Sequence, residues 1–298
     1  PPSGPPGGGA ASPRQKAAAV SDEPRQTGSG AMPSAALDGR SGAVAVVEAA
    51  LVDWVAALAA EVAAGVRGPE QAALVAVTAA ERATIDAALT LAGDEVAADI
   101  ATGFAWAWVL LDDAGAAARL RPFADRSAAL WLLSFVDAMS GHLGAARAAL
   151  DRVRDGDPDR ARWFGGFVLS QEGRYAEAAA DLERCHVAFS ARGEPWWAGG
   201  SLLLAAFAHL GVGDVPTAAA DCAAAIRIVA PLGDAWALQH AEAALGRIAQ
   251  ATGRFADAAR HHERAAAATE RLGFPGATAL HLLHLAKAQL AAGDPAAA

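Results

Sequence analysis

The chain is expected to be all-α, a solenoid of antiparallel helix hairpins behind a disordered N-terminal tail. Three observations predict this. Shifted by 40 residues, Gly193 falls on Gly233 and Gly273, and Gly213 on Gly253 and Gly293, with Trp196 on Trp236 and no insertion needed. A fixed internal step of that size marks stacked supersecondary units, each hiding its apolar face on the next. Between the glycines, apolar residues recur at three- and four-residue spacing, the helical period. Hydrophobic residues make up 54% of the 298 positions, ample for a core.

Residues 1–42 are rich in Pro, Gly, Ser and Ala without apolar periodicity, a composition that cannot bury a core and predicts disorder. They hold no apolar stretch of the kind a signal peptide needs. The first residue is not Met, so the chain is expected to be a piece of a longer protein. Residues 43–122 read as a helical segment leading into the repeats. Its first helix is expected over 43–64, with Glu48, Asp53 and Glu61 arguing against a membrane span. Pro69 opens a helix expected to run to Leu91. Gly93-Asp94 opens the next, to Leu111, carrying Ile100, Phe104, Trp106 and Trp108. A shorter one covers 115–121 before Pro122.

From 123 the repeats begin, with units at about 124–154, 158–192, 194–232 and 234–272 and a half unit over 275–298. Asp234 follows a glycine and precedes a long apolar run, the place of an N-cap. In the helix after it, Trp236, His240, Ala243 and Arg247 share one face, while Leu238, Ala241, Leu245 and Ile248 mark another. Each helix of a 40-residue unit has about 18 residues and is roughly 27 Å long at 1.5 Å per residue.

The turns carry a common pattern. Gly, an apolar residue two positions on, and Ala three further recur as Gly141/Leu143/Ala146, Gly173/Tyr175/Ala178, Gly213/Val215/Ala218 and Gly253/Phe255/Ala258. Glycine ends the first helix, the apolar residue plugs the hairpin, and alanine lets the helices approach. With Leu245-Gly246 inside a first helix, the pattern resembles the tetratricopeptide repeat, whose period is ordinarily about 34. The longer step resembles the repeats of large bacterial regulators.

A second resemblance starts upstream. Arg67-Gly68-Pro69-Glu70-Gln71-Ala72-Ala73, the block Ala80 to Leu89, Gly93 to Ala98 and the Trp106/Trp108 helix look like one region of actinobacterial SARP-type and large LuxR-type (STAND ATPase) regulators. That region follows their nucleotide-binding and winged-helix parts. The family's middle block usually reads Ala-Glu-His-Asp-Asn-Leu-Arg-Ala-Ala-Leu. This chain keeps Ala80, Glu81, Ala87, Ala88 and Leu89 and departs at Arg82, Ala83, Thr84 and Asp86. The likeness spans roughly 44–298. It implies an interaction or effector-sensing arm of a cytoplasmic transcriptional regulator, whose DNA-binding and nucleotide-binding domains lie elsewhere in the full-length parent.

Composition narrows the remaining functions. A net charge of −9 argues against direct nucleic-acid contact by this segment. Only two lysines occur, Lys16 and Lys287. Neither follows the glycine spacing of a phosphate-binding loop, and no cofactor is expected in this segment. Cys185 and Cys222 are the only cysteines, which suits two buried thiols in a reducing compartment. No nucleophile–base pair stands out, and no enzyme activity is expected. Asp155, Asp157 and Asp159 fall at a turn, where aspartates cap helices.

The candidate site is the inner groove that first helices line in such solenoids. Trp163, Trp196, Trp197 and Trp236 come from successive first helices. Phe207, His240, Arg247 and Lys287 extend them with an aromatic and cationic edge. A protein or peptide partner, or a small effector, is expected there, and the same tryptophans also suit packing between units. His261-His262-Glu263 and His281/His284 sit on neighbouring helices, but a tight metal site needs three or four convergent ligands, and none is expected. A second reading of the whole chain is a stand-alone repeat adaptor or assembly scaffold without a DNA-linked role.

Overall fold

The computed structural model describes residues 34–111 and 114–293, with side chains from 42 onward. The chain divides into two compact units, 1–44 and 45–298. Of the first unit, only the opening of a helix from Ser34 is described; the remaining architecture belongs to the second.

Fourteen α-helices and no strand occur among the described residues. Helix α1 spans Ser34–Gly65. The tail expected over 1–42 lies outside the described residues up to 33. From Ser34 the chain is already helical, because Ser34-Ala35-Ala36-Leu37 are sound helix formers once the Pro- and Gly-rich run ends. Residues 42–65 of α1 are long and apolar enough, by length and composition alone, to cross a membrane, which corrects the argument drawn from its charges. Those three acids are spread so that an 18-residue window holds no more than two. Val55, Ala59 and Val62 bury one face of this helix, and Trp54 remains exposed.

The single helix expected between Pro69 and Leu91 is two: α2 (Gln71–Ala80) and α3 (Arg82–Leu91), bent at Glu81. No glycine or proline announces the bend. Both pieces lie on α4 (Asp94–Leu110), and the bend lets each keep a buried face there. A short α5 (Ala116–Leu120) and one 3-10 turn lead into the repeats.

The repeats are four hairpins and a single helix. They pair α6 (Ser127–Met139) with α7 (Leu143–Asp151), α8 (Pro158–Gln171) with α9 (Tyr175–Ala191), α10 (Pro195–Val212) with α11 (Val215–Val229), and α12 (Ala235–Ala251) with α13 (Phe255–Arg271). The last helix is α14 (Pro275–Ala292). This is a tetratricopeptide-like solenoid. The second helix of α14's unit would begin beyond 293, outside the described residues. Gly213 ends α10 in the left-handed region at φ 85°, and Gly253 turns the next hairpin at φ 73°, a conformation that costs other residues energy. Asp157 caps α8 by accepting from the Asp159 and Arg160 amides, and Arg192 pairs with it at 2.8 Å. Asp234 caps α12.

First helices touch first helices: α6 meets α8, α8 meets α10, and α10 meets α12. They form the inner side, and α4 lies across it. Trp106 of α4 rests on Phe135 of α6, Trp196 of α10 and Trp236 of α12, at 5.3–5.4 Å between ring centroids.

Candidate functional site

Two features meet on the inner face: a closed tryptophan cage and, beside it, an open cavity. The cage is built by residues from opposite ends of the sequence. Trp163, Trp196 and Trp197 are 0%, 7% and 6% exposed. The turn from α1 to α2 inserts Arg67 among them, with its guanidinium carbon 4.7 Å from the Trp196 ring, 4.8 Å from Trp197 and 5.2 Å from Trp106. Burial and the like charge of Arg160 hold the Arg67 pKa down at about 10, while Asp234 works the other way.

Below Arg67, Asp234 is fully buried. Its Oδ1 accepts from the Ala237 amide at 2.8 Å and from Gln71 Nε2 at 3.2 Å, and its Oδ2 accepts from Trp196 Nε1 at 2.5 Å. Gln71 Oε1 accepts from the Trp236 amide at 2.9 Å, and its Nε2 also donates to the Val66 carbonyl at 2.7 Å. Burial raises the Asp234 pKa against these hydrogen bonds, which favour the carboxylate. Pro69 packs on Gly233. The residues that the sequence presents as a helix break thus tie the leading segment to the third and fourth hairpins. All four candidate tryptophans are covered by the chain itself, Trp236 at 4% exposed. Periodicity within the repeats carries no sign of a segment folding back onto them.

Trp236 also borders the open space. With Phe207, His240 and Arg247 it lines a cavity of about 350 Å³. Four candidates thus share this wall, and Trp236, His240, Ala243 and Arg247 are the α12 face that periodicity picked out. Lys287 is exposed and outside the wall, though near enough to help depress His284. The cavity has two chemically different halves. Val109, Phe135, Phe167 and Leu204, from α4, α6, α8 and α10, make an apolar half. The half from α12, α13 and α14 carries the polar groups: Gln239, His240, Arg247, His262, His281 and His284. Arg247 reaches over Phe207, 5.8 Å from its ring.

The histidines are held neutral. Burial pushes His240, His262 and His281 down to about 4, with neighbouring histidines adding to the effect, and lowers His284 as well. His240 Nδ1 lies 2.9 Å from the Trp236 carbonyl and therefore carries its proton there. The Gln239 amide also touches that nitrogen and contacts His281 Nε2 at 2.8 Å. The atom of Gln239 that meets His281 is Oε1, which accepts from His281 Nε2. Neutral His281 therefore carries its proton on Nε2, and its Nδ1 is a buried atom with no protein partner; His262 Nδ1 likewise has none.

The sequence groups His262 and His281 only as a candidate metal cluster, and nothing in it singles out Gln239. His262 aligns with Leu182 and Cys222, core positions. Its ring instead stacks on His284 at 5.1 Å. The available signal was the concentration of histidines between 240 and 284. His261 diverges from this group and pairs with Glu242 at 2.7 Å. Among the described residues, no three His, Cys, Asp or Glu side chains converge as metal ligands. Cys185 and Cys222 are free and buried, their thiols pushed up to about 12.

No family model matches the chain, and no curated protein sequence does. Solved structures do. A Rap protein complexed with competence and sporulation factor superposes with a TM-score of 0.54 at 13% identity, over 81% of this chain and 72% of that one. BtubC from P. vanneervenii matches with a TM-score of 0.45 at 19% identity, over 67% of this chain and 83% of that one. The likeness to the Rap protein is one of fold, and it places this chain among the helical repeat architectures.

Proposed function

We propose that the chain is the recognition arm of a bacterial transcriptional regulator, with the inner-face cavity as its sensing site. The observation that carries this is the cavity itself, walled by five successive inner helices and α4 at the point where the leading segment docks. Filling it would press on α4 and on the contacts around Trp236, so occupancy can reach residues 66–71. In the regulators that segments 67–73 and 80–98 resemble, those residues follow the nucleotide-binding part. A Rap structure holding its factor supports recognition as a use of this architecture. DNA-binding and nucleotide-binding domains belong to the parent protein, in the cytoplasm, and this segment contributes binding without turnover.

The test is the reading frame upstream of Pro1. A nucleotide-binding domain and a DNA-binding domain encoded in frame support the regulator. A frame without either overturns it in favour of a free-standing adaptor, whatever the cavity binds.

A further inference from the structure

The wall chemistry narrows what the cavity holds. The chain carries 33 Asp and Glu residues and a net charge of −9, yet none of the residues lining this cavity is acidic. Its one cation is Arg247, which makes no ion pair among the described residues and lies 5.8 Å from the Phe207 ring. In a chain this acidic, an arginine left without a carboxylate at a cavity rim is suited to meet an anion from outside. His281 Nδ1, a buried atom without a protein partner, sits in the same polar half. Opposite, the α4, α6, α8 and α10 side offers only apolar and aromatic surface. At about 350 Å³, the space lies at the small end of the ~300–1,000 Å³ usual for small-molecule sites. It equals about a dozen waters at ~30 Å³ each, room for a bicyclic or medium-chain body but not for an extended peptide.

We propose that the cavity binds a small amphipathic carboxylic acid, its apolar body among Phe135, Phe167 and Leu204 and its carboxylate against Arg247. This rests on the sensing role above and specifies its ligand class. An amine is disfavoured because no acidic side chain meets it. A neutral amide of the same shape keeps one acceptor for Arg247 but forfeits the charge and the second oxygen of a bidentate pair.

The experiment titrates the full chain at neutral pH with naphthoate, naphthamide and aminomethylnaphthalene, read by calorimetry and by quenching of tryptophan fluorescence. Naphthoate is expected to saturate one site at least about tenfold more tightly than the amide, a difference of roughly 1.4 kcal/mol, with the amine weakest. Decanoate is the matching probe for an aliphatic body. Arg247→Ala, at the exposed rim, is expected to weaken the acid far more than the amide and so erase the preference between them, and Arg247→Lys to restore part of it. Ala243→Trp, which fills the cavity, is expected to block acid and amide together, with helical circular dichroism confirming the fold. Equal binding of acid and amide overturns the proposal, as does an Arg247→Ala chain that still prefers the acid. So does a short apolar peptide that binds more tightly than either acid, or the failure of both acids to bind at millimolar concentration. A neutral ligand found in the cavity instead removes the acid and leaves the sensing role intact.

Discussion

Gln71 and Asp234 lie 163 residues apart in sequence and share a buried hydrogen bond at 3.2 Å. Through its other amide atom Gln71 also accepts from the Trp236 amide, so one side chain completes the capping of α12 from outside the repeat. The Trp236 amide is one of the orphan donors every helix start presents. Gln71→Ala therefore leaves a buried N–H and part of a buried carboxylate unsatisfied. It is expected to destabilise the chain by about 2–3 kcal/mol, measured as a lowered urea midpoint. A change within error would show that this tie does not hold the leading segment to the repeats.

Arg67 contributes differently, through a planar cation laid on three indoles. A lysine ammonium is compact and strongly hydrated and cannot spread over several rings. Arg67→Lys is expected to cost about 1–2 kcal/mol. Arg67→Ala, which also leaves a void among Trp106, Trp196 and Trp197, is expected to cost about 3 kcal/mol, with a red shift in tryptophan emission. A lysine variant as stable as the parent would sink the stacking account.

These two ties explain where sequence reading succeeded and where it stopped. The 40-residue step and the turn glycines are local, repeated signals, and they pointed to the helical solenoid that the structure shows. The face of α12 was legible for the same reason, since helical spacing alone sets Trp236, His240 and Arg247 in line. Gln71 and Arg67 were not. Each is an ordinary polar residue near a helix start, and its burial depends on partners more than a hundred residues on. Trp163, Trp196 and Trp197 suited packing as well as a ligand in the sequence, and what periodicity could not show was that Arg67 would lie on Trp196 and Trp197 and Trp106 of α4 on Trp196. His262 stood out with His281 and His284 only as a weak metal cluster, because its alignment with Leu182 and Cys222 points to a core position and hides the cavity beside it.

Gly246 occupies the place of the Leu-Gly pair that suggested the repeat family. Its requirement is steric: a Cβ built there would lie 2.6 Å from the His262 ring. Gly246→Ala is expected to destabilise by about 1–3 kcal/mol through overpacking, despite alanine's better helix propensity. Adding His262→Ala frees the space, so the double variant should cost less than the sum of the two single ones. Additive costs in thermal unfolding would mean that the ring moves aside freely.

The two thiols give a simple check on the packing of second helices. Both are buried, and burial disfavours the reactive thiolate. Neither Cys185 nor Cys222 should react with a thiol-disulfide reagent in the native protein, and both should react once urea unfolds it. Fast labelling of the folded chain would contradict the hairpin packing around them.

The neutral histidines predict how stability follows pH. His240, His262 and His281 sit at about 4 in the folded chain, below their ordinary value of 6.5. The unfolded chain therefore takes up protons first as pH falls. The stability that neutral histidines provide is complete above pH 6.5 and is lost as pH drops toward 4, with a limiting slope of about 1.4 kcal/mol per pH unit for each proton. Carboxylates such as Asp157 and Glu172, held below their ordinary values by arginine partners, add a separate loss at still lower pH. Replacing the three histidines by glutamine should flatten the curve between pH 6.5 and 4 while leaving the acid limb below it. Urea unfolding across that range decides the matter. If the parent chain loses no stability there, the three histidines take up protons in the folded chain as readily as in the unfolded one, and burial does not hold them neutral between pH 6.5 and 4.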